Sequence, residues 1–231
     1  MYNRAPKEIR ICGRNMGSVG LALAYKTQKF RIILFGFHYS FWGDIAKRLV
    51  QHFSEHGVSE VIYFGKCATL SKETDIQSKI VCPKAYAVCD SENTLIPVLP
   101  PVNPFENHSF HFKAKVSFSR HVSVPTIVGE TFEQRKVLGD DYDTLDNEIS
   151  QIAIIAAEKK LSFGCLHFCT DLVRLSDDAG LRTRHDLERN EHEDEKKLLQ
   201  EIFHILSVHL QNRVPPTALL LTGLNTQFFI S

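Results

Sequence analysis

Long apolar runs are missing from this 231-residue sequence. No stretch approaches the ~20 consecutive apolar residues of a membrane-spanning helix. The opening MYNRAPKEIRICGRNMG also lacks the apolar core of a secretory signal. Cysteine is sparse: Cys12, Cys67, Cys82, Cys89, Cys165 and Cys169 form no C-x-x-C pair, which argues against a disulfide scaffold or a zinc ribbon. No Cys/His cluster completes a metal set, so neither a metal nor an organic cofactor is expected. Walker A and G-x-G-x-x-G sequences are absent, which removes support for a P-loop or a dinucleotide-binding fold. Charge of one sign is lacking too: 27 basic side chains meet 27 acidic ones, unlike the basic excess of most nucleic-acid binders. These absences leave a cytoplasmic protein whose expected partner is a small molecule rather than a membrane or a long nucleic acid.

What is present is globular. Apolar residues make up 43% and charged residues 23%, values that exclude wholesale disorder. The neutral charge is a cancellation. Residues 1–50 carry Arg4, Lys7, Arg10, Arg14, Lys26, Lys29, Arg31, Lys47 and Arg48 against only Glu8 and Asp44. Residues 177–201 lean the other way, with Glu188, Glu191, Glu193 and Glu195 among their acids.

Segments 18–25 and 30–35 read as strands, rich in apolar and partly β-branched residues. Ile45, Leu49, Val50 and Phe53 recur at helical spacing, and Gly57 stands where a helix stops. Residues 58–65 form the next strand, which makes a βαβ unit with parallel strands. KIVCPKAYAVCD (79–90) suggests two short strands around a proline break, and the proline-rich 91–109 a loop. Segments 111–119 and 124–130 read as strands and 147–160 as a helix. FGCLHFCT (163–170) has the continuous apolarity of a central strand covered on both faces, with DLVRLSDDAGLR as the following loop. His167 within it is expected to be a hydrogen-bonded core histidine. A long helix over 185–211 ends at Pro215-Pro216. The expected organisation is a basic leader (1–17), one α/β domain (18–214) and a C-terminal tail (215–231), whose ALLLTGL could add a strand.

Ligands of open α/β sheets bind beyond the carboxyl ends of strands. Three expected strand ends carry chemistry: Gly36 and His38 after the second strand, Gly65, Lys66 and Thr69 after the third, and Asp171 after 163–170. Glu148 joins them from the first turn of its helix. Glycine at a strand end lets backbone N–H groups face an anion, and Lys or Thr adds donors. Each residue has a plain structural alternative as well: turn glycines, a strand-end aspartate, an acid at a helix start.

The order of these features resembles the nucleoside phosphorylase/nucleosidase superfamily. IILFGFHYSFWGDIAKRL and VIYFGKCATLS are similar to its two Gly-rich strand-ends, and IQSKIVCPKAYAV to the strand pair that follows. TLDNEISQIAIIAAEKKL, FGCLHFCTDLV and the 185–211 helix match its later elements. The resemblance implies a three-layer phosphorylase-like fold with a central mixed sheet flanked by helices, and cleavage of the N-glycosidic bond of a purine nucleoside or nucleotide. It assigns Asp171 to the leaving base and Glu148 to the ribose hydroxyls, with Asn147 beside it and Phe132 or Tyr142 stacking on the base. Gly36, His38, Gly65, Lys66 and Thr69 would hold phosphate, a candidate co-substrate, or the attacking water. It also implies a homo-oligomer. The sequence departs from the pattern at His38 and Ala68, where glycines are usual, at Asn147 for methionine, and at Thr170 for serine. Those loop changes favour hydrolysis over phosphorolysis. They also motivate the alternative of a catalytically inactive module that binds a nucleotide or a protein.

Overall fold

A computed structural model describes residues 12–15, 20–26, 31–37, 44–70, 79–106, 115–125, 132–138, 141–175, 181–184, 191–212 and 218–222. The strands are β1 (Cys12–Asn15), β2 (Gly20–Lys26), β3 (Arg31–Phe37), β4 (Glu60–Thr69), β5 (Lys79–Cys89), β6 (Leu95–Val98), β7 (Lys115–Ser123), β8 (Thr144–Asp146), β9 (Ser162–Leu175), β10 (Leu181–Arg184) and β11 (Ala218–Thr222). The helices are α1 (Asp44–Glu55), α2 (Phe132–Leu138), α3 (Ile149–Glu158) and α4 (Glu191–Asn212). All strands join one mixed sheet, in the order β1-β2-β3-β11-β4-β8-β7-β5-β9-β10, with β6 on β5. The α/β expectation holds.

The expected βαβ unit is present with an addition. β3 and β4 point the same way, but β11 lies between them, parallel to both, pairing Leu220 with Leu34 on one side and Ile62 on the other. The segment read as a tail therefore supplies an interior strand, and the one read as a leader supplies β1, antiparallel to β2. Gly57 adopts φ +82 just past α1, a left-handed stop that only glycine takes without cost.

β4 also pairs directly with β9, so the sequence of pairings β4–β8–β7–β5–β9–β4 closes into a ring. Side chains of β4 and β9 alternate between two covers, as FGCLHFCT led one to expect. Val61, Tyr63, Phe163 and Cys165 pack under α1 and α3, whereas Ile62, Phe64, Leu166 and Phe168 pack under α4. Each large apolar side chain so buried contributes ~1.5–3 kcal/mol. Gly164 is required by packing: a Cβ there would lie 2.5 Å from the Phe105 ring.

Several boundaries differ from expectation. Residues 79–89 form one strand rather than two, because the proline break is absorbed as a register shift between Pro83 and Ala85. The proline-rich loop contains β6, an outer strand that tolerates Pro97 because its outward side needs no donor. The strand expected at 111–119 is β7, four residues later at each end. Of that expected at 124–130, Val124 and Pro125 are in irregular backbone and the rest lies outside the described residues. β9 runs on to Leu175 and turns back through β10, where a loop was expected. Among the described residues, no helix is long and apolar enough to cross a membrane.

Candidate functional site

Five ring strands send side chains to one place. His121 of β7 has Nε2 2.9 Å from Asp146 Oδ1 of β8 and Nδ1 2.9 Å from the Thr144 hydroxyl. His167 of β9 meets the His121 ring at 5.6 Å and the Tyr63 ring of β4 at 5.5 Å, both edge-on. Tyr86 of β5 lies 6.5 Å from His121. His121 and His167 are wholly enclosed. The expectation of a hydrogen-bonded His167 is corrected: among the described residues, neither ring nitrogen has a partner. Burial, reinforced by His121, pushes its pKa down to about 3, against the pull of Asp146, so it is neutral near pH 7.

Asp146 is the hub. Its Oδ1 accepts from Ser123 Oγ at 2.6 Å and from the backbone N–H groups of Glu148 and Ile149 at 3.1 and 3.2 Å. The last two are donors that the start of α3 cannot satisfy internally, so Asp146 caps that helix. Burial works against its charge, but His121, His167 and Ser123 outweigh burial and hold the carboxyl below its ordinary value. Glu148 follows two residues later, half-buried at the start of α3. Burial and the neighbouring Asp146 charge push its carboxyl well above the usual range, against the Asn147 backbone donor. A carboxyl so placed holds its proton more tightly than an exposed glutamate does. Burial, then Glu148 and Asp146, likewise raise the Tyr63 phenol, which puts Tyr63 within reach of the same charges.

The remaining expected residues fall into three groups. Asn147 is buried and its amide donates to the Val124 carbonyl at 3.1 Å, while Tyr142 packs half-buried against the cluster around Leu145. Gly36, Gly65, Lys66 and Thr69 were expected in loops and are strand residues instead. Gly36 pairs with Thr222 and Leu21 inside the sheet, and β4 stays extended through Thr69 because β9 pairs with it along its whole length. Thr69 donates its hydroxyl to the Asp143 carbonyl at 3.2 Å, and Lys66 is exposed, its Nζ 5.9 Å from the Phe168 ring. Asp171 was expected at a strand end and lies within β9, opposite Ala68 just past a register shift. The side chains of Asp171 and Phe132, and the whole of His38, lie outside the described residues.

The pairing of β4 changes close to this cluster. β4 pairs with β11 up to Phe64 and with β8 from Ala68, so its neighbour changes across Gly65–Cys67. Such a change of neighbour is where open sheets form crevices. The β8–α3 junction that carries Asp146 and Glu148 adjoins it. By contrast, the depression of ≈ 410 Å³ lined by Ser54, Lys159 and Lys160 lies at the opposite, amino end of β4 and β9. Among the described residues, no group of His, Cys, Asp and Glu is arranged to hold a metal ion. His121, Ser123 and Thr144 were missed by sequence reasoning; the alternation of polar residues in SRHVS was the available signal.

Comparison with solved structures settles the architecture. Helicobacter pylori MTAN matches 89% of this chain and 90% of its own at 12% identity, with a TM-score of 0.65. The chain has the nucleosidase fold. Campylobacter jejuni 5′-methylthioadenosine/S-adenosylhomocysteine nucleosidase matches at 12% identity over 88% of this chain and 90% of its own, TM-score 0.65. A futalosine hydrolase mutant of H. pylori gives 12% identity, 89% and 90% coverage, and 0.63. No family model matches the chain. Among curated proteins, Oxidoreductase cns1 of Cordyceps militaris is 28% identical over 197 residues, 77% of this chain and 23% of that protein. The chain thus spans less than a quarter of that relative's length.

Proposed function

We propose that this chain cleaves the N-glycosidic bond of a purine nucleoside or nucleotide, with water favoured over phosphate as the attacking group. The observation that carries the reading is Glu148, a half-buried carboxyl with raised pKa at the β8–α3 junction of a nucleosidase fold. Cleavage leaves an electron-poor ribosyl group and an anionic base. Glu148 holds the ribose hydroxyls, whose orientation fixes the sugar as charge develops on it. Asp171 protonates or hydrogen-bonds the departing base, and Tyr142 or Phe132 stacks on it. Gly36, Gly65, Lys66, Thr69 and His38 remain the candidates for holding water or phosphate, with Gly65 and Lys66 favoured because β4 changes partner there. The structural neighbours support the substrate class: an H. pylori MTAN mutant holds 5′-methylthioadenosine in its active site. Such an enzyme would be cytoplasmic and oligomeric.

The test is release of free base from adenosine, inosine, 5′-methylthioadenosine, S-adenosylhomocysteine and AMP, with and without phosphate. Base release lowered by about 10²–10⁴-fold in Glu148→Ala is expected; no release from any of them by the wild type overturns the reading. A second reading, a nucleoside-binding module without turnover, draws on the match to less than a quarter of a larger protein. It expects calorimetric binding of the same compounds without products.

A further inference from the structure

Asp146 does more than end a strand. It is buried, and its two oxygens receive Ser123 Oγ at 2.6 Å, His121 Nε2 at 2.9 Å, Glu148 N–H at 3.1 Å, and Ile149 N–H at 3.2 Å to each oxygen. Ser123 Oγ in turn accepts the Ser150 N–H at 2.8 Å. The first three residues of the α3 region are thus tied to two side chains from β7 and β8. Thr144 holds the far nitrogen of His121, and Ser119 reaches Thr144 at 3.3 Å. All of these groups are buried, so the assembly is a rigid scaffold rather than a surface cluster.

We infer that Asp146 is a positioning residue acting through Glu148: it clamps the backbone from which Glu148 projects and fixes a negative charge beside the Glu148 carboxyl. The inference rests on the reading of Glu148 as a site residue and adds a residue that, after burial, biases its state. The groups facing Asp146 are His121 from β7, His167 from β9, Tyr63 and Cys67 from β4, Tyr86 from β5 and Cys165 from β9. His121 Nε2 meets Asp146 Oδ1 directly at 2.9 Å, whereas Glu148 meets it through its backbone N–H. Glu148 sits outside that contact and feels the carboxylate. Burial first, and this carboxylate second, keep a proton on Glu148 at pH values where an exposed glutamate has lost it.

Carboxyl-carbon NMR titration of the full chain tests this without any substrate, with Glu148→Gln identifying the resonance. The wild-type Glu148 midpoint should lie above that of exposed glutamates. Asp146→Asn, which keeps the capping ability and removes the charge, should lower it by about one pH unit or more. Asp146→Ser, also a capping residue, serves if the Asn variant does not fold. An ordinary wild-type midpoint, or no movement in the folded variant, overturns the inference. If turnover is found, the pH profile of kcat should move with the titration, which a merely structural role would not produce. A raised, Asp146-dependent midpoint in a protein that releases no base sinks the proposed function and leaves the clamp. An ordinary midpoint in a protein that releases base does the reverse.

Discussion

The two faces of β4 and β9 are built from alternate residues of the same strands, yet they are furnished differently. Under α4 the side chains are apolar, from Ile62 and Phe64 to Leu166 and Phe168, and the polar exception is the His209–Glu60 contact at 3.0 Å. Under α1 and α3 the next residues along bring in Tyr63, His167 and, from neighbouring strands, His121 and Asp146. An apolar face holds a helix without specifying any chemistry. A buried polar face is costly unless satisfied, and among the described residues the cost gathers here on the two His167 nitrogens and the Ser150 hydroxyl, which lack partners.

Substitutions on each face sharpen this contrast. Glu148→Ala should lower base release by about 10²–10⁴-fold while leaving the thermal transition nearly unchanged, as read by chromatography and calorimetry. Parity of the two effects would erase the distinction between the faces. His121→Ala should destabilise by about 3–5 kcal/mol in urea, because the Asp146 charge is left buried without its imidazole. Leu166→Ala, on the α4 face, should cost about 2–5 kcal/mol, with activity per folded molecule retained. Gly164→Ala should cost about 1–3 kcal/mol, since its methyl meets the Phe105 ring.

The smallest effect concerns pH. The His167 pKa is about 3 in the folded chain and about 6.5 when unfolded, so the unfolded chain binds the extra proton between those values. Its contribution to stability is present above pH 6.5 and is lost as pH falls, with a slope of up to about 1.4 kcal/mol per pH unit. Asp146, held below its ordinary value, acts in the same direction; Glu148, raised, acts oppositely. His167→Leu should therefore flatten the acid limb of stability, and urea midpoints at pH 7 and pH 5 read that directly. A variant as acid-sensitive as the wild type would assign the limb to other groups.

Much of this was legible in the sequence. The unbroken apolarity of 163–170 marked a strand with two covered faces, and the alternation of β9 between α3 and α4 is its physical content. The helices near 44–55, 149–158 and 191–212 followed from apolar spacing. Strand ends were misread where pairing, not local composition, decides length. Gly65 and Asp171 have turn-like neighbours, but β4 and β9 satisfy each other's backbones past both residues. Pro83 was read as a break because a central strand ordinarily excludes it; a register shift accommodates it. Glu148 was found from its family-like place, whereas the His121–Asp146 contact joins residues 25 apart across strands whose pairing no local pattern encodes.

The position of β11 has a consequence for synthesis. Residues 218–222 fill the slot between β3 and β4, which are complete in the chain some 150 residues earlier. As the chain leaves the ribosome, those two strands must wait with facing hydrogen-bonding edges open, the kind of edge that recruits a wrong strand. Closing the sheet is then among the last events of folding and spans a very long loop, so it is slow by its topology. A chaperone that shields the slot would have its work at that moment, before β11 arrives.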